Sequence, residues 1–416
     1  MNATSAESPP PAKPPLWQIV PTADYERPTD SQPATLQRRW RALGRLLLGD
    51  DKGEAAPARA EADLRALPQL RLANLVPPID WAPAARALGA PDEDTHAPVR
   101  LFIGQPYCDH AATLAHWACT HDAVVLTPPD SAQILAADQR WLDDLAPAKG
   151  HPWVLPELER CFLRHASGLE LLRGFLARAL SGALGPGLIG CDSWALAFIE
   201  RIWPLPGTPR LTLQAFDGPA LTRYLMQANR GHVRFLSARS GKPLLPERPA
   251  DGKADATAAE ESTCPELRQL AAHCRGNPGL AWHYWRQRLR AAPEHQPQEQ
   301  AEEAPHNPPA GADRERLAAA DEVVWVAPGI ETPTLPAESG EDVAFLLHAL
   351  LLHRGLDAEA LGALLPIPDA RMHSHLLRLR ALTLLEHDGA RWQVAPLAYP
   401  TVREFLRSRS YLTDGF

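Results

Sequence analysis

Lysine is nearly absent from this sequence of 416 residues, although arginine is common. The five lysines are widely spaced, at Lys13, Lys52, Lys149, Lys242 and Lys253. No site between positions 53 and 148 can therefore depend on a lysine side chain. Acidic residues outnumber basic ones, and the net charge of −8 gives the chain no general attraction to nucleic acid.

Cysteine pairs, long apolar runs and several catalytic motifs are also missing. The six cysteines form no CxxC pair, which favours reduced thiols in a cytosol over disulfides or a zinc site. No uncharged apolar run reaches the roughly 18 residues of a membrane span. The first residues, MNATSAESPPPAKPP, lack the apolar core of a secretory signal, so we expect a cytoplasmic protein. Neither HExxH nor GxSxG occurs, and we predict no metal site and no serine hydrolase.

Proline is abundant, with 43 residues or about twice the usual share, and it marks the expected boundaries along the chain. We predict that residues 1–35 are disordered and that residues 36–96 form a helical region. Residues 246–263 are a polar linker by composition, and residues 293–320 are an acidic, proline-rich linker.

Between these boundaries, residues 97–245 alternate short apolar runs with longer amphipathic ones. The five apolar runs are VRLFIG, AVVLT, WVLP, GLIGC and RLTLQ. Strands separated by helices predict an α/β fold with a mainly parallel sheet and helices on both faces. Residues 231–245 are expected to add an edge strand or a hairpin.

Two helical units follow the predicted sheet. Residues 264–292 predict a helical pair. Residues 340–416 predict three helices, a hairpin turn at His387-Asp388-Gly389 and a last helix, which is the pattern of a winged-helix domain.

Residues 99–117, VRLFIGQPYCDHAATLAHW, have the layout of a phosphate-binding loop, in which a strand leads through a glycine turn into a helix. The working motif is GxxxxGK[ST], whose lysine reaches the phosphates and whose hydroxyl binds Mg²⁺. Gly104 begins the loop here, but Asp109, His110 and Ala111 replace the second glycine, the lysine and the hydroxyl residue. The alternative is a plain strand–turn–helix connection that binds nothing.

The order of the later segments resembles the AAA+/STAND group of P-loop ATPases, over residues 68–292 and 340–416. CRGNPGL at 274–280 is similar to the lid turn of these families, G-N-P-x-x-L. The resemblance implies a P-loop NTPase-like sheet, a helical lid and a C-terminal winged helix. It also implies that Glu157 stands where a catalytic base would and that Asp192 stands where a residue senses the γ-phosphate. By the same match, Pro278 would face an adenine and Arg275 would sense phosphate.

Two of these positions have simpler explanations. Pro156 holds the place of the metal-binding carboxylate and cannot coordinate a metal. Glu157 and Glu159 could instead begin a solvated helix, where acidic residues are favourable. Asp192 could simply cap the helix that follows it.

The missing groups predict a pseudo-ATPase. Phosphoryl transfer depends on positioning and on charge stabilisation by the loop lysine and Mg²⁺. Removing one such contact costs about 10²–10³ in rate. We therefore predict a non-hydrolysing regulatory or scaffold protein that acts through an unidentified protein partner and binds ATP or ADP weakly at most.

Two alternatives remain open. A winged-helix regulator would bind DNA through Arg371, His375 and Arg378, although residues 340–416 carry eight arginines, no lysine and nine acidic residues. That balance lacks the basic surface of a typical duplex reader. An atypical active ATPase would use Glu157 and Arg275.

Overall fold

The structure is a computed structural model that describes residues 15–28, 59–89, 97–145, 151–229, 233–246, 263–292 and 322–416. Its strands are β1 (Ile19–Pro21), β2 (Arg65–Ala66), β3 (Val99–Gly104), β4 (Val124–Val125), β5 (Trp153–Leu155), β6 (Gly187–Asp192), β7 (Arg210–Leu213), β8 (Val233–Ser237), β9 (Leu289–Ala291), β10 (Glu322–Val326), β11 (Leu385–His387) and β12 (Trp392–Val394). Its α-helices are α1 (Gln69–Leu75), α2 (Ala82–Ala87), α3 (His110–His121), α4 (Ser131–Leu135), α5 (Arg140–Asp143), α6 (Glu170–Leu180), α7 (Ser193–Ile202), α8 (Gly218–Ala228), α9 (Pro265–His273), α10 (Pro278–Arg288), α11 (Glu341–Leu352), α12 (Ala358–Leu364), α13 (Asp369–Ala381) and α14 (Tyr399–Ser408).

Six strands form the main sheet, in the order β1, β7, β3, β6, β5, β4. Neighbouring strands are parallel except for β1, which runs antiparallel to β7. The five predicted apolar runs are the five parallel strands. The α/β fold class is therefore confirmed, and the sheet with its flanking helices is consistent with a P-loop NTPase-like fold.

Successive side chains of a strand point to opposite faces of the sheet. Each face therefore has its own apolar surface, and different helices cover the two faces. Leu114 and Trp117 of α3 pack in one buried cluster with Phe102 of β3. Trp194 of α7 belongs to another cluster, with Ile103 of β3. Helices α3 and α7 thus lie on opposite faces of neighbouring strands.

The chain reverses its direction of travel across the sheet at β3 and β6. It leaves β3 through α3 for the far edge strand β4, and it leaves β6 through α7 for β7, on the other side of β3. Ligands of open α/β sheets bind outside the carboxyl ends of the strands at such a switch point. Here those ends are Gly104 and Asp192, which are register partners.

Residues 231–245 supply an edge strand, as expected, and fold back in an antiparallel bridge between Leu236 and Pro243, but they do so in a second sheet. Strand β8 does not extend the main sheet but belongs to a four-stranded sheet in the order β2, β9, β10, β8. Its parallel partner is β10, whose sequence EVVWV lies far along the chain. The short run alone could not show which partner would bury it.

The prediction of disorder for residues 1–35 is wrong for residues 15–28. Ile19–Pro21 form β1 at the edge of the main sheet, and Trp17 packs edge-on against Trp81 and Phe216. In the predicted helical region 36–96, the described residues contain α1 and α2 but also the short strand β2. Residues 36–58 and, apart from Pro246 and Thr263, both predicted linkers lie outside the described residues.

The lid helices α9 and α10 pack on the loop that follows β3. Asn277 caps α10 by accepting a hydrogen bond from the Leu280 amide at 2.8 Å. Its side-chain amide donates to the Pro106 carbonyl at 2.7 Å. From the other side, the Tyr107 hydroxyl donates to the Val394 carbonyl of β12 at 2.7 Å. We call residues 341–416 the C-terminal unit; it comprises α11 to α14 and the β11–β12 hairpin.

Gly279 tests how closely the lid packs on this loop. A Cβ added there would overlap the backbone carbonyl of Tyr107, so Gly279→Ala should push the lid away and lower the free energy of unfolding by about 1–3 kcal/mol. The matched control is Gly362→Ala in exposed α12, where Cβ has room and the change should stabilise by about 0.5–1 kcal/mol. Urea denaturation compares the two, and equal effects would contradict this close packing.

Candidate functional site

The loop after β3 leads into α3 through a left-handed residue that carries a carboxylate. Asp109 adopts φ 34° and ψ 59°, the left-handed conformation that glycine favours and that the second glycine of the motif would supply. Its side chain accepts a hydrogen bond from the Ala112 amide at 3.3 Å and so caps α3. Ala111 follows within the first turn of that helix. The aspartate thus holds the helix N-terminus, which attracts anions.

His110, at the position of the motif lysine, turns inward instead of facing a ligand. It is 1% exposed, and its Nε2 lies 2.9 Å from Oε1 of Glu159. The imidazole sits directly over Gly104, where any Cβ would overlap it. Gly104 is therefore needed to admit the histidine ring.

Glu159 is the centre of the site, and it is fully buried. It lies in a short 3₁₀ turn, Leu158–Arg160, just after β5, and its second oxygen accepts a hydrogen bond from the Asp192 amide at 3.0 Å. Burial alone would raise the pKa of this carboxyl, but His110 and Arg354 outweigh it and hold the pKa below its ordinary value. The expectation of a solvated helix start is therefore wrong for Glu159.

Asp192 ends β6 and caps α7, as the simpler explanation predicts. Its side chain accepts a hydrogen bond from the Trp194 amide at 2.8 Å. Burial, together with the charge of Glu159, raises its pKa well above the ordinary value. Two carboxyl groups therefore share this buried space by ionising at different pH.

Arg354 of the C-terminal unit completes the cluster from outside the sheet. It lies between α11 and α12, and its guanidinium contacts Asp109 at 3.1 Å and Glu157 at 3.4 Å and lies 4.0 Å from Glu159. Glu157 also pairs with Arg160 at 2.9 Å. We call these residues the switch-point cluster: Asp109, His110, Glu157, Glu159, Asp192 and Arg354.

The two lid candidates, Arg275 and Pro278, are separated in the structure. Pro278 approaches Gly104 and Cys108 across a cavity of about 10 Å³, which has room for roughly one water molecule. The Arg275 guanidinium donates to the backbone carbonyl of Phe416. These two residues do not converge on one ligand here.

The predicted DNA-contacting residues of α13 are mostly engaged within the protein. Arg371 pairs with Asp342 at 3.1 Å, and His375 lies 3.8 Å from the same carboxylate. Arg378 is exposed to solvent. A single carboxylate of α11 thus faces two of the three candidates.

Sequence reasoning missed the two residues that hold the cluster together, Glu159 and Arg354. A weak signal for Glu159 was present, because it follows the apolar run WVLP closely and stands next to Leu158, but Glu157 and Arg160 beside it look equally charged. Arg354 gave no such signal, since its role depends on how the C-terminal unit docks on the sheet.

The C-terminal unit docks through a second set of contacts, around Arg164. The Arg164 amide donates to His353 Nε2 at 3.3 Å, and the Arg164 guanidinium lies 3.3 Å from His348 Nδ1. Both histidines are buried, and burial lowers the pKa of each to about 4. A neutral imidazole accepts from Arg164, whereas a charged one would repel it.

Comparisons with known proteins show a distant structural likeness. No family model matches the chain, and no curated protein matches it. Among solved structures, a Walker-type ATPase of Pyrococcus abyssi is similar over 79% of this chain and 95% of that chain, at 14% identity and a TM-score of 0.29. Within the described residues, no helix is both long and apolar enough to cross a bilayer, and no group of three or more acidic, histidine or cysteine side chains could hold a metal ion.

Replacing Glu159 should be far more damaging than replacing its neighbour. In Glu159→Gln, an NH₂ group replaces one of the two carboxylate oxygens, so a hydrogen-bond donor of the protein faces another donor. The free energy of unfolding should therefore fall by about 3 kcal/mol or more. Glu157→Gln is the matched control; its partly exposed ion pairs should be worth less than about 1 kcal/mol. Urea denaturation measures both, and a larger effect at Glu157 would contradict the geometry.

His348 and His353 should make the protein sensitive to mild acid. Their folded pKa of about 4 lies below the ordinary 6.5, so the unfolded state binds more protons between these values. Their contribution is therefore complete above pH 6.5 and is lost as the pH falls toward 4. The expected result is a free energy of unfolding that declines less steeply over this window in His353→Gln than in the wild type. Asp192 has a raised pKa in the folded state, so above pH 3.8 it lowers the free energy of unfolding as the pH rises. This effect is the same in the wild type and in His353→Gln. Identical slopes would contradict the assignment.

Proposed function

We propose that this chain is a non-hydrolysing, ATPase-like protein of the cytoplasm that acts as a regulatory or scaffold module through protein–protein interaction. One observation carries the proposal. His110, at the position of the motif lysine, is turned inward to the buried Glu159 at 2.9 Å, and Arg354 contacts Asp109 and Glu157 at the same end of the sheet. The chain's own side chains thus contact one another at the positions where a P-loop ATPase would meet its nucleotide.

Electrostatics supports the absence of hydrolysis. A phosphate at the N-terminus of α3 would meet the Asp109 carboxylate, and it would have to detach Arg354 from that group. Glu157, the candidate base, is held by Arg160 and Arg354, so its carboxylate is not placed to take a proton from water. Arg275 is engaged elsewhere.

Protein interaction is better supported than DNA binding. In the winged-helix interpretation, α13 would be the recognition helix, and two of its basic side chains already pair with Asp342. The exposed Arg378 is what favours the alternative of a DNA-binding regulator. A duplex reader would need several such phosphate contacts.

ATP binding tests the proposal directly. Isothermal titration of the wild type with millimolar MgATP or MgADP should give no binding heat, and phosphate release should match buffer. Changing Asp109→Gly, His110→Lys and Ala111→Thr together, with Arg354→Ala, should recover measurable affinity, because these changes restore the loop and remove its internal cation.

The contrary result is equally clear. A ligand at about 100 times its dissociation constant stabilises by roughly 2.7 kcal/mol, so wild-type binding would also raise the unfolding temperature by several degrees. Such binding, with phosphate release that Glu157→Gln abolishes, would establish an atypical ATPase instead.

A further inference from the structure

The segment 411–416, YLTDGF, is held in a cleft although it forms neither helix nor strand. Asp414 is only 5% exposed. Its carboxylate accepts hydrogen bonds from the Ser193 hydroxyl at 2.7 Å and from Arg403 at 3.0 and 3.2 Å. One acidic side chain is thus recognised by a hydroxyl and a guanidinium in a buried place.

The backbone and the last ring of the same segment are recognised as well. Arg275 donates to the Phe416 carbonyl, and Arg27 donates to the Gly415 carbonyl. Arg403 also donates to the Asp414 and Phe416 carbonyls, at 3.2 and 3.0 Å. The Phe416 ring meets Tyr25 edge to face, with the ring centres 4.9 Å apart. These contacts recognise the backbone carbonyls of the segment, an acidic side chain and an aromatic residue two places later.

The cleft is assembled from four separate parts of the chain, and it is basic. We call it the tail cleft: Tyr25, Arg27, Ser193, Arg275 and Arg403. Three guanidiniums stand close enough to interact, since Arg27 and Arg403 both help to lower the pKa of Arg275 after burial. They face the Asp414 carboxylate and the backbone oxygens of residues 414–416, so the cleft suits a peptide that carries an acidic side chain at this position.

We propose that the tail cleft is a binding site for a peptide of a protein partner that carries an aspartate two residues before an aromatic residue, and that segment 411–416 occupies it until the partner competes. This deepens the proposed scaffold function by naming the site and chemistry of its partner. A segment tethered in the same chain competes at an effective concentration on the order of millimolar. A partner must therefore bind tightly or bring additional contacts.

Fluorescence anisotropy with a labelled, amidated peptide YLTDGF tests this site on the full chain. In Asp414→Ala the tail loses its buried anchor while the cleft is unchanged, so the peptide should bind at least about tenfold more tightly than to the wild type. Phe416→Ala is a milder change in the tail and should give a smaller increase in peptide affinity. It replaces Asp414→Ala in the experiment if that variant does not fold. Thr413→Ala is the control and should bind like the wild type.

Two further comparisons change the peptide and a residue of the tail cleft. The amidated peptide YLTAGF should bind Asp414→Ala at least about tenfold more weakly than YLTDGF, and Arg403→Ala added to that variant should remove the gain. Equal binding of both peptides, or no gain in either tail variant that keeps the wild-type circular dichroism spectrum, would overturn the proposal. A wild-type dimer that Asp414→Ala dissociates would show exchange of tails between copies and overturn it too. Phosphate release from ATP by the wild type that Glu157→Gln abolishes would contradict the scaffold function without changing the peptide result, so the two failures are distinguishable.

Discussion

The buried contact between His110 and Glu159 is the constraint on which the centre of this molecule depends. A buried carboxylate without a partner is strongly destabilising, so Glu159 depends on His110 for a hydrogen-bond partner. The contact joins the loop after β3 to the turn after β5, and the Asp192 amide joins Glu159 to β6. Gly104 is required because the imidazole covers it. Three strand ends are thereby fixed where an ATPase would need an open space.

The C-terminal unit shares the apolar core of the sheet and is also joined to this centre by polar contacts. Arg354 reaches Asp109 and Glu157, and the buried imidazole of His353 accepts from the Arg164 amide. Further out, the tail lies across Ser193 and the lid residue Arg275. The sheet, the helices α9 and α10 and the C-terminal unit are therefore joined by polar contacts as well as by apolar packing.

The sequence was sufficient to predict the parallel strands, because their apolar runs and the helices between them are local patterns. It also placed Asp109 and His110 in the loop, since the spacing from Gly104 is a short-range property. It could not show that β8 pairs with β10, that residues 15–28 supply an edge strand, or that Arg354 completes the cluster. Each of these depends on contacts between segments far apart in the chain. Glu159 is an intermediate case. Its place just after an apolar strand could be read from the sequence, but its partner His110, which lies far away along the chain, could not.

A double-mutant cycle on His110 and Glu159 tests the central claim most directly. The free energy of unfolding would be measured for the wild type, His110→Ala, Glu159→Ala and the double variant, all by urea denaturation at one pH. Residues in direct buried contact should show a coupling energy of about 2 kcal/mol or more, with the double variant less destabilised than the sum of the single ones. Effects that add to within about 0.5 kcal/mol would mean that the two residues act independently, and the account of a site closed by its own charges would be wrong.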